Sequence, residues 1–315
     1  MGQAASPGGA GALRDAVLIA GPTASGKSAL ALAVARRTGG VIVNADSMQV
    51  YGVLDLLTAR PDAAALAAAP HRLYGHVPPA CAYSTGRWLA DVAALVEAGA
   101  LAGRRAIFVG GTGLYFRALT EGLAPMPDIP AALRARLRRR LAAEGSAALH
   151  RALATRDPET AARLQPGDGQ RIVRALEVLE ASGRPIGAWQ AARSAPLVDL
   201  SQASALVIEP DRAALAAAIE RRFDAMLEAG ALEEVAALRA LALDPALPAM
   251  KAIGVRELSA VLDGQGTLAE AAARAKAATR QYAKRQATWF RHQLGPAWRR
   301  YRSAQAALED SHGVP

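Results

Sequence analysis

The sequence predicts an α/β fold, a parallel sheet flanked by helices and interrupted by an all-helical insert. Three observations lead there. Short apolar runs of four or five residues alternate with segments of helical period, each run ends in glycine or a polar loop, and between 125 and 196 the apolar runs give way to Arg- and Ala-rich helical segments.

The first run, residues 16–20, is Ala-Val-Leu-Ile-Ala and reads as a strand buried on both faces. It breaks at Gly21-Pro22, and a helix starting within the next few residues carries Leu30 and Val34 on its apolar side over 29–37. Residues 41–44 (Val-Ile-Val-Asn) form a second strand that ends at Asp46, and 107–109 a third that ends at Gly110-Gly111-Thr112-Gly113. In the insert, helices are expected over 131–143, 157–164 and 170–181. Residues 205–209 return to the sheet, and helices follow over 212–228, 231–241, 255–262 and 268–293. The expected organisation is a tail over 1–15, a core domain from 16–124 and 197–303, the insert at 125–196, and a flexible tail over 304–315. In parallel sheets ligands gather beyond the carboxyl ends of the strands, which is where the loops at 21–28, Asp46 and Thr112 fall.

A chain of 315 residues can bury a full core without disulfides. Its 52% hydrophobic content is largely alanine, with only 4% aromatic, and no apolar run approaches the roughly 20 residues that span a bilayer. The first sixteen residues lack an apolar signal core, so a cytoplasmic protein with no membrane partner is expected, as a monomer. Gly2 and Ser6 fit a short myristoylation pattern that an Ala/Gly/Ser tail produces by chance. A single cysteine, Cys81, excludes an internal disulfide, and His71, His76, His150, His292 and His312 are too scattered for a metal cluster.

Charge is informative by position. Of the net +9, residues 131–193 carry +6 and residues 274–302 carry +9, which leaves the remainder negative. Basicity confined to two segments points to a polyanionic partner, against the plainer reading of Arg-rich helices that solvate themselves.

Gly21, Pro22, Thr23, Ala24, Ser25, Gly26, Lys27 and Ser28 make a complete G-x-x-x-x-G-K-S after a strand and at the start of a helix. Such a P-loop closes backbone N–H groups around phosphate oxygens, Lys27 supplies a mobile charge, and Ser28 can ligate Mg²⁺. The fold class is therefore P-loop NTPase-like. The motif specifies phosphate and leaves the reaction open.

Six segments in order then resemble the bacterial tRNA dimethylallyltransferases: residues 21–28, Asn44 to Tyr51, Gly110 to Tyr115, Gln170 to Glu177, Arg222-Phe223-Asp224, and Arg280 to Trp289. The resemblance spans 17–298. It implies transfer of a dimethylallyl group from dimethylallyl diphosphate to the exocyclic N6 amine of the adenine 3′ of the anticodon, with Mg²⁺ as cofactor and the tRNA anticodon stem-loop as partner. It further implies that Lys27 and Arg222 neutralise the diphosphate, that Asp46 is the general base, and that Thr112 lies near the target adenine. By the same resemblance tRNA contacts fall on Asp46, Ser47, Met48 and Gln49, on Thr112 and Arg134, and on Gln170, Arg171, Ile172, Val173 and Arg174. They continue on Lys251, Ala252, Ile253, Gly254, Val255 and Arg256, and on Lys284, Arg285, Gln286, Ala287, Thr288, Trp289, Phe290 and Arg291.

Spacing also places Tyr282, Gln286, Trp289 and Gln293 on one helix face, the pattern of core packing. Leu57, Arg60 and Val255 depart from the family pattern. The competing readings are a P-loop kinase of a small metabolite, which leaves both basic segments without a role, an adenosine-phosphate isopentenyltransferase, which needs no basic insert, and a non-catalytic RNA-binding protein, which leaves Lys27, Ser28 and Asp46 unexplained.

Overall fold

The computed structural model describes residues 12–310. Gly2, Ser6 and His312, with the outer parts of both predicted tails, lie outside the described residues.

The order of elements is β1 (Val17–Ala20), α1 (Lys27–Thr38), β2 (Val41–Asn44), α2 (Ala63–Ala68), β3 (His71–Arg72), α3 (Thr85–Glu97), β4 (Ala106–Gly110) and α4 (Gly113–Glu121). Then come α5 (Ala131–Arg156), α6 (Pro158–Ala162), α7 (Gly169–Ser182), α8 (Ile186–Gln190), β5 (Ser204–Ile208), α9 (Arg212–Glu228) and α10 (Ala231–Ala240). A 3₁₀ turn at Ala249–Lys251 leads to α11 (Val255–Leu262), α12 (Leu268–Gln293), β6 (Arg299–Tyr301) and α13 (Ala304–Glu309).

The strands form one parallel sheet in the order β3-β2-β4-β1-β5-β6. Its central strands are buried on both faces, as continuous apolar runs require. Alternation along β1 sends Leu18 and Ala20 to one face, with Trp88, Phe116 and Phe290, and Val17 and Ile19 to the other, with Leu30, Val34 and Ala307. A third cluster joins α9 to α12, around Phe223, Val235, Leu258 and Ala275. Register sets Ala20 beside Gly110, and Asn44 beside Val109, so β1, β2 and β4 end level and their loops open on one edge.

The edge strands β3 and β6 have two and three residues, several of them charged, and give no apolar run to read. The predicted flexible tail needs correction over 304–310. There α13 packs Ala307 into the sheet core, Ser303 caps it through the Ala306 N–H, and the Tyr301 hydroxyl donates to Asp310. The predicted N-terminal tail is likewise tied at its inner end, where Leu13 bridges Val198 and Asp15 pairs with Arg105.

The chain divides into two compact units, residues 121–196 and the remainder. The smaller unit is wholly helical and encloses its own core of Leu137, Leu149, Leu153, Ile172 and Leu176. Within α5, Gly145 leaves the helical region (φ 79°, ψ 164°), so the helix breaks close to where the sequence predicted its end.

Candidate active site

The phosphate loop joins β1 to α1. Gly21 is required by space, because a Cβ there would lie 2.6 Å from Ser25 Oγ and 3.1 Å from the Ile208 carbonyl. Gly26 is left-handed (φ 85°), the conformation that turns the loop into the helix. Ala24 is also left-handed (φ 64°), which for an L-residue stores strain of order 1 kcal/mol. No side chain caps α1 and no acid sits in its first turn, so its initial N–H groups face the loop uncompensated. Ser25 Oγ is buried without a hydrogen-bond partner among the described residues. Unspent donors in a strained turn are the arrangement an anion completes.

Lys27 donates to the Pro22 carbonyl at 3.2 Å, across the mouth of the loop. Burial lowers its pKa to about 8; Asp46 opposes the shift and Arg222 adds to it. Arg222, on α9, donates to the Thr23 hydroxyl. Burial lowers the guanidinium's pKa too, and again Asp46 opposes. Two partly desolvated cations thus share one carboxylate.

That carboxylate is held by its own strand. Asn44, fully buried at the end of β2, accepts from Asp46 N (2.8 Å) and donates to the carbonyls of Asp46 (2.9 Å) and Leu73 (3.0 Å). The Trp88 indole N–H holds the Asn44 carbonyl at 2.8 Å. Asp46 Oδ1 accepts from Met48 N at 2.9 Å, while Oδ2 takes no hydrogen bond among the described residues. Its charge acts on the phenols of Tyr74, Tyr115 and Tyr282; burial first, then the Asp46 charge, raises their pKa values, so they stay neutral.

The loop after β4 closes on the same place. Thr112 N donates to the Ala45 carbonyl (3.2 Å), and its hydroxyl accepts from Ser47 N (2.9 Å) and donates to Ser47 Oγ (3.2 Å). The glycines are dictated by packing. A Cβ on Gly110 would lie 2.0 Å from the Ala45 carbonyl oxygen, and one on Gly113 2.0 Å from the Trp289 ring.

The structure therefore gathers Thr23 to Ser28, Asp46, Thr112 and Arg222 in the larger unit. Several side chains predicted to touch tRNA are instead core: Ile172, Val173, Ala252, Val255 and Phe290 are buried, as is Gln286. They face inward because their helices are amphipathic and these positions lie on the apolar stripe. Gln286 spends its amide on Thr23 N (2.9 Å) and the Gly111 carbonyl (2.9 Å), and Trp289 packs on Gly113. Gln49 donates to the carbonyls of Thr58 and Ala59. Gly254 (φ 100°) packs against Leu57, one of the three departures from the family pattern.

On the surface remain Lys251, Arg256, Lys284, Arg285, Thr288 and Arg291 in the larger unit, and Gln170 and Arg171 in the smaller. Arg134 and Arg174 flank the buried carboxylate of Glu177 at 3.8 and 3.4 Å. The sequence marked Asn44 only as the start of a family segment, without a role, and offered no sign of Tyr74, since a lone loop Tyr is an ordinary feature.

The chain matches the family model described as IPP transferase over residues 49–293, and one described as isopentenyl transferase over 14–75. It is 68% identical to the tRNA dimethylallyltransferase of Chelativorans sp. (strain BNC1), over 91% of this chain and 98% of that protein. Identity to the enzyme of the same name from Mesorhizobium japonicum is 65%, over 93% and 91%. Among solved structures, the tRNA isopentenylpyrophosphate transferase of Bacillus halodurans superposes with a TM-score of 0.63 at 31% identity, over 91% of this chain and 89% of that one. A eukaryotic dimethylallyltransferase described as acting on tRNA gives 0.76 at 26% identity, over 90% and 71%.

Proposed function

The chain belongs to the IPP transferase family, and on that premise we propose that it moves a dimethylallyl group from dimethylallyl diphosphate to the N6 amine of the adenine 3′ of the anticodon in tRNA. The observation that carries this reading is Arg222, on α9, donating to the Thr23 hydroxyl of the phosphate loop that holds Lys27, with the charge of Asp46 acting on both cations.

The allylic carbon–oxygen bond breaks with its electron pair going to the diphosphate, so negative charge grows on the leaving group and positive character on the carbon. The N–H groups of the loop, Lys27 and Arg222 meet that charge where it develops. The adenine amine is a weak nucleophile because its lone pair is delocalised into the ring. As the nitrogen–carbon bond forms, Asp46 Oδ2 takes the displaced proton.

Mg²⁺ fits the residues present only as a substrate-borne ion. No cluster of three or more His, Cys, Asp or Glu lies among the described residues, whereas Ser28 is exposed in the first turn of α1 beside Lys27. Ser28 would hold the ion, and a bound ion would offset charge on the diphosphate. The exposed cations Lys251, Arg256, Lys284, Arg285 and Arg291, and Arg171 of the insert, contact the tRNA backbone. No helix among the described residues is long and apolar enough to cross a membrane.

The test offers labelled dimethylallyl diphosphate with tRNA, with AMP and with neither, with and without ATP. Label in tRNA alone, independent of ATP, is expected. Label in AMP would favour the nucleotide prenyltransferase, and strict ATP dependence the kinase.

A further inference from the structure

Among the described residues, the amide of Gln286 is the one polar side chain that hydrogen-bonds from α12 to both loops of the site. It is 6% exposed, yet both ends are satisfied by backbone: Oε1 accepts from Thr23 N at 2.9 Å and Nε2 donates to the Gly111 carbonyl at 2.9 Å. These partners lie 263 and 175 residues away in the chain, in the loops that follow β1 and β4. Gly111 is shaped around the contact, since a Cβ there would lie 2.1 Å from Nε2 and 3.2 Å from Asp46 Oδ2. Thr23, at the other end, receives Arg222 on its hydroxyl.

We infer that Gln286 is a positioning residue that fixes the spacing between the diphosphate cradle and the loop facing Asp46, and so the distance over which the group is transferred. The inference rests on the transfer reaction proposed above. A glutamine amide alone among neutral side chains of this length presents an acceptor and a donor at one end, which is what one backbone N–H and one carbonyl demand. Without it, both backbone groups are left buried and unpaired, and each loop relaxes toward its own partners. A displacement of about 1 Å between reacting groups costs roughly a hundredfold in rate, while each loop still binds its own ligand. The effect therefore falls on kcat, with the affinity of each substrate nearly preserved. Lys284 and Arg285, exposed on the same helix, face away from this junction.

The experiment compares the wild-type protein with Gln286→Leu and Gln286→Glu, measuring kcat, the KM for dimethylallyl diphosphate, tRNA binding and thermal unfolding. Gln286→Leu is expected to lower kcat roughly 10- to 100-fold, with tRNA affinity and KM within a few-fold of wild type. In Gln286→Glu, the ionised carboxylate keeps the acceptor for Thr23 but repels the Gly111 carbonyl. Protonation restores the donor, so the ratio of variant to wild-type kcat should rise as pH falls. Asp46 Oδ2, which borders Gly111, and Arg222, which donates to Thr23, stand nearest that carboxyl, and Gln286→Leu, which adds no charge, gives the loss without any effect on their titration. A structural role alone leaves the ratio flat with pH. Wild-type kcat in Gln286→Leu, a flat ratio in Gln286→Glu, or a loss confined to tRNA affinity would overturn the inference. Should Gln286→Leu fail to fold, the Gln286→Glu ratio decides. Absence of transfer by the wild-type protein would instead refute the reaction itself.

Discussion

Lys27 should change its protonation when the diphosphate arrives. Its ammonium is enclosed by the Pro22 carbonyl, Asp46 and Arg222, and burial brings its pKa from 10.5 down to about 8. At about 1.4 kcal/mol per pH unit, that corresponds to roughly 3 kcal/mol of unfavourable charge burial. A diphosphate in the loop puts opposite charge at contact distance and returns the pKa toward its ordinary value. At pH 8.5 the free protein then carries the Lys27 proton in only about a quarter of molecules, and binding should take up roughly 0.75 proton. At pH 7 the group is already about nine-tenths charged, and uptake falls to roughly 0.1.

Calorimetry of dimethylallyl diphosphate binding without tRNA, in buffers of different ionisation enthalpy, measures the uptake, with Lys27→Met as the reference. The affinity should weaken as pH rises through about 8. Stability follows the opposite sign. Between about pH 8 and 10.5 the unfolded chain holds this proton more tightly than the folded one, so the ligand-free protein should gain stability with pH from this group. Tight binding at pH 8.5 with no proton uptake, or the same uptake in Lys27→Met, would refute the argument.

Asp46→Ala should lower turnover by roughly two to four orders of magnitude while tRNA still binds, measured by single-turnover transfer and filter binding. In Gly110→Ala, the new methyl must push the Ala45 carbonyl from 2.0 Å to ordinary contact near 3.4 Å, which carries the Asp46 peptide with it. We expect about 1–3 kcal/mol of destabilisation in thermal unfolding and about a hundredfold loss of kcat. Arg171→Ala removes a cation whose side chain is 73% exposed, and should reduce the salt dependence of tRNA binding by about one unit of slope. Arg174 is a poor choice for the same test, because its removal leaves the buried Glu177 with one fewer partner.

The phosphate loop was legible in the sequence because its chemistry is local. Gly21 to Ser28 are contiguous, and the glycines, lysine and serine act through backbone shape and the start of one helix. The strands β1, β2, β4 and β5 were legible for a related reason, since burial on both faces writes a continuous apolar run, and their common carboxyl edge follows from parallel order. The basic segments were visible as composition. Which of their residues face outward was legible only in part: spacing set Gln286 on the core face of α12, where it is buried, but set Gln293 there too, which is exposed, and gave no place to Phe290, which differs from Arg291 only by rotation about the helix.

Tertiary structure alone decided the rest. Arg222, named beforehand only through the family resemblance, meets Thr23 across 199 residues, Gln286 reaches Thr23 across 263 and Gly111 across 175, and the glycines at 110, 111 and 113 are fixed by Ala45, Gln286 and Trp289. Contacts of this kind depend on how elements pack, and leave no periodic trace in either partner. The sequence by itself determined the phosphate-loop motif and its place along the sheet; packing decided which distant side chains meet it, because steric fit and desolvation arise only between surfaces that folding brings together.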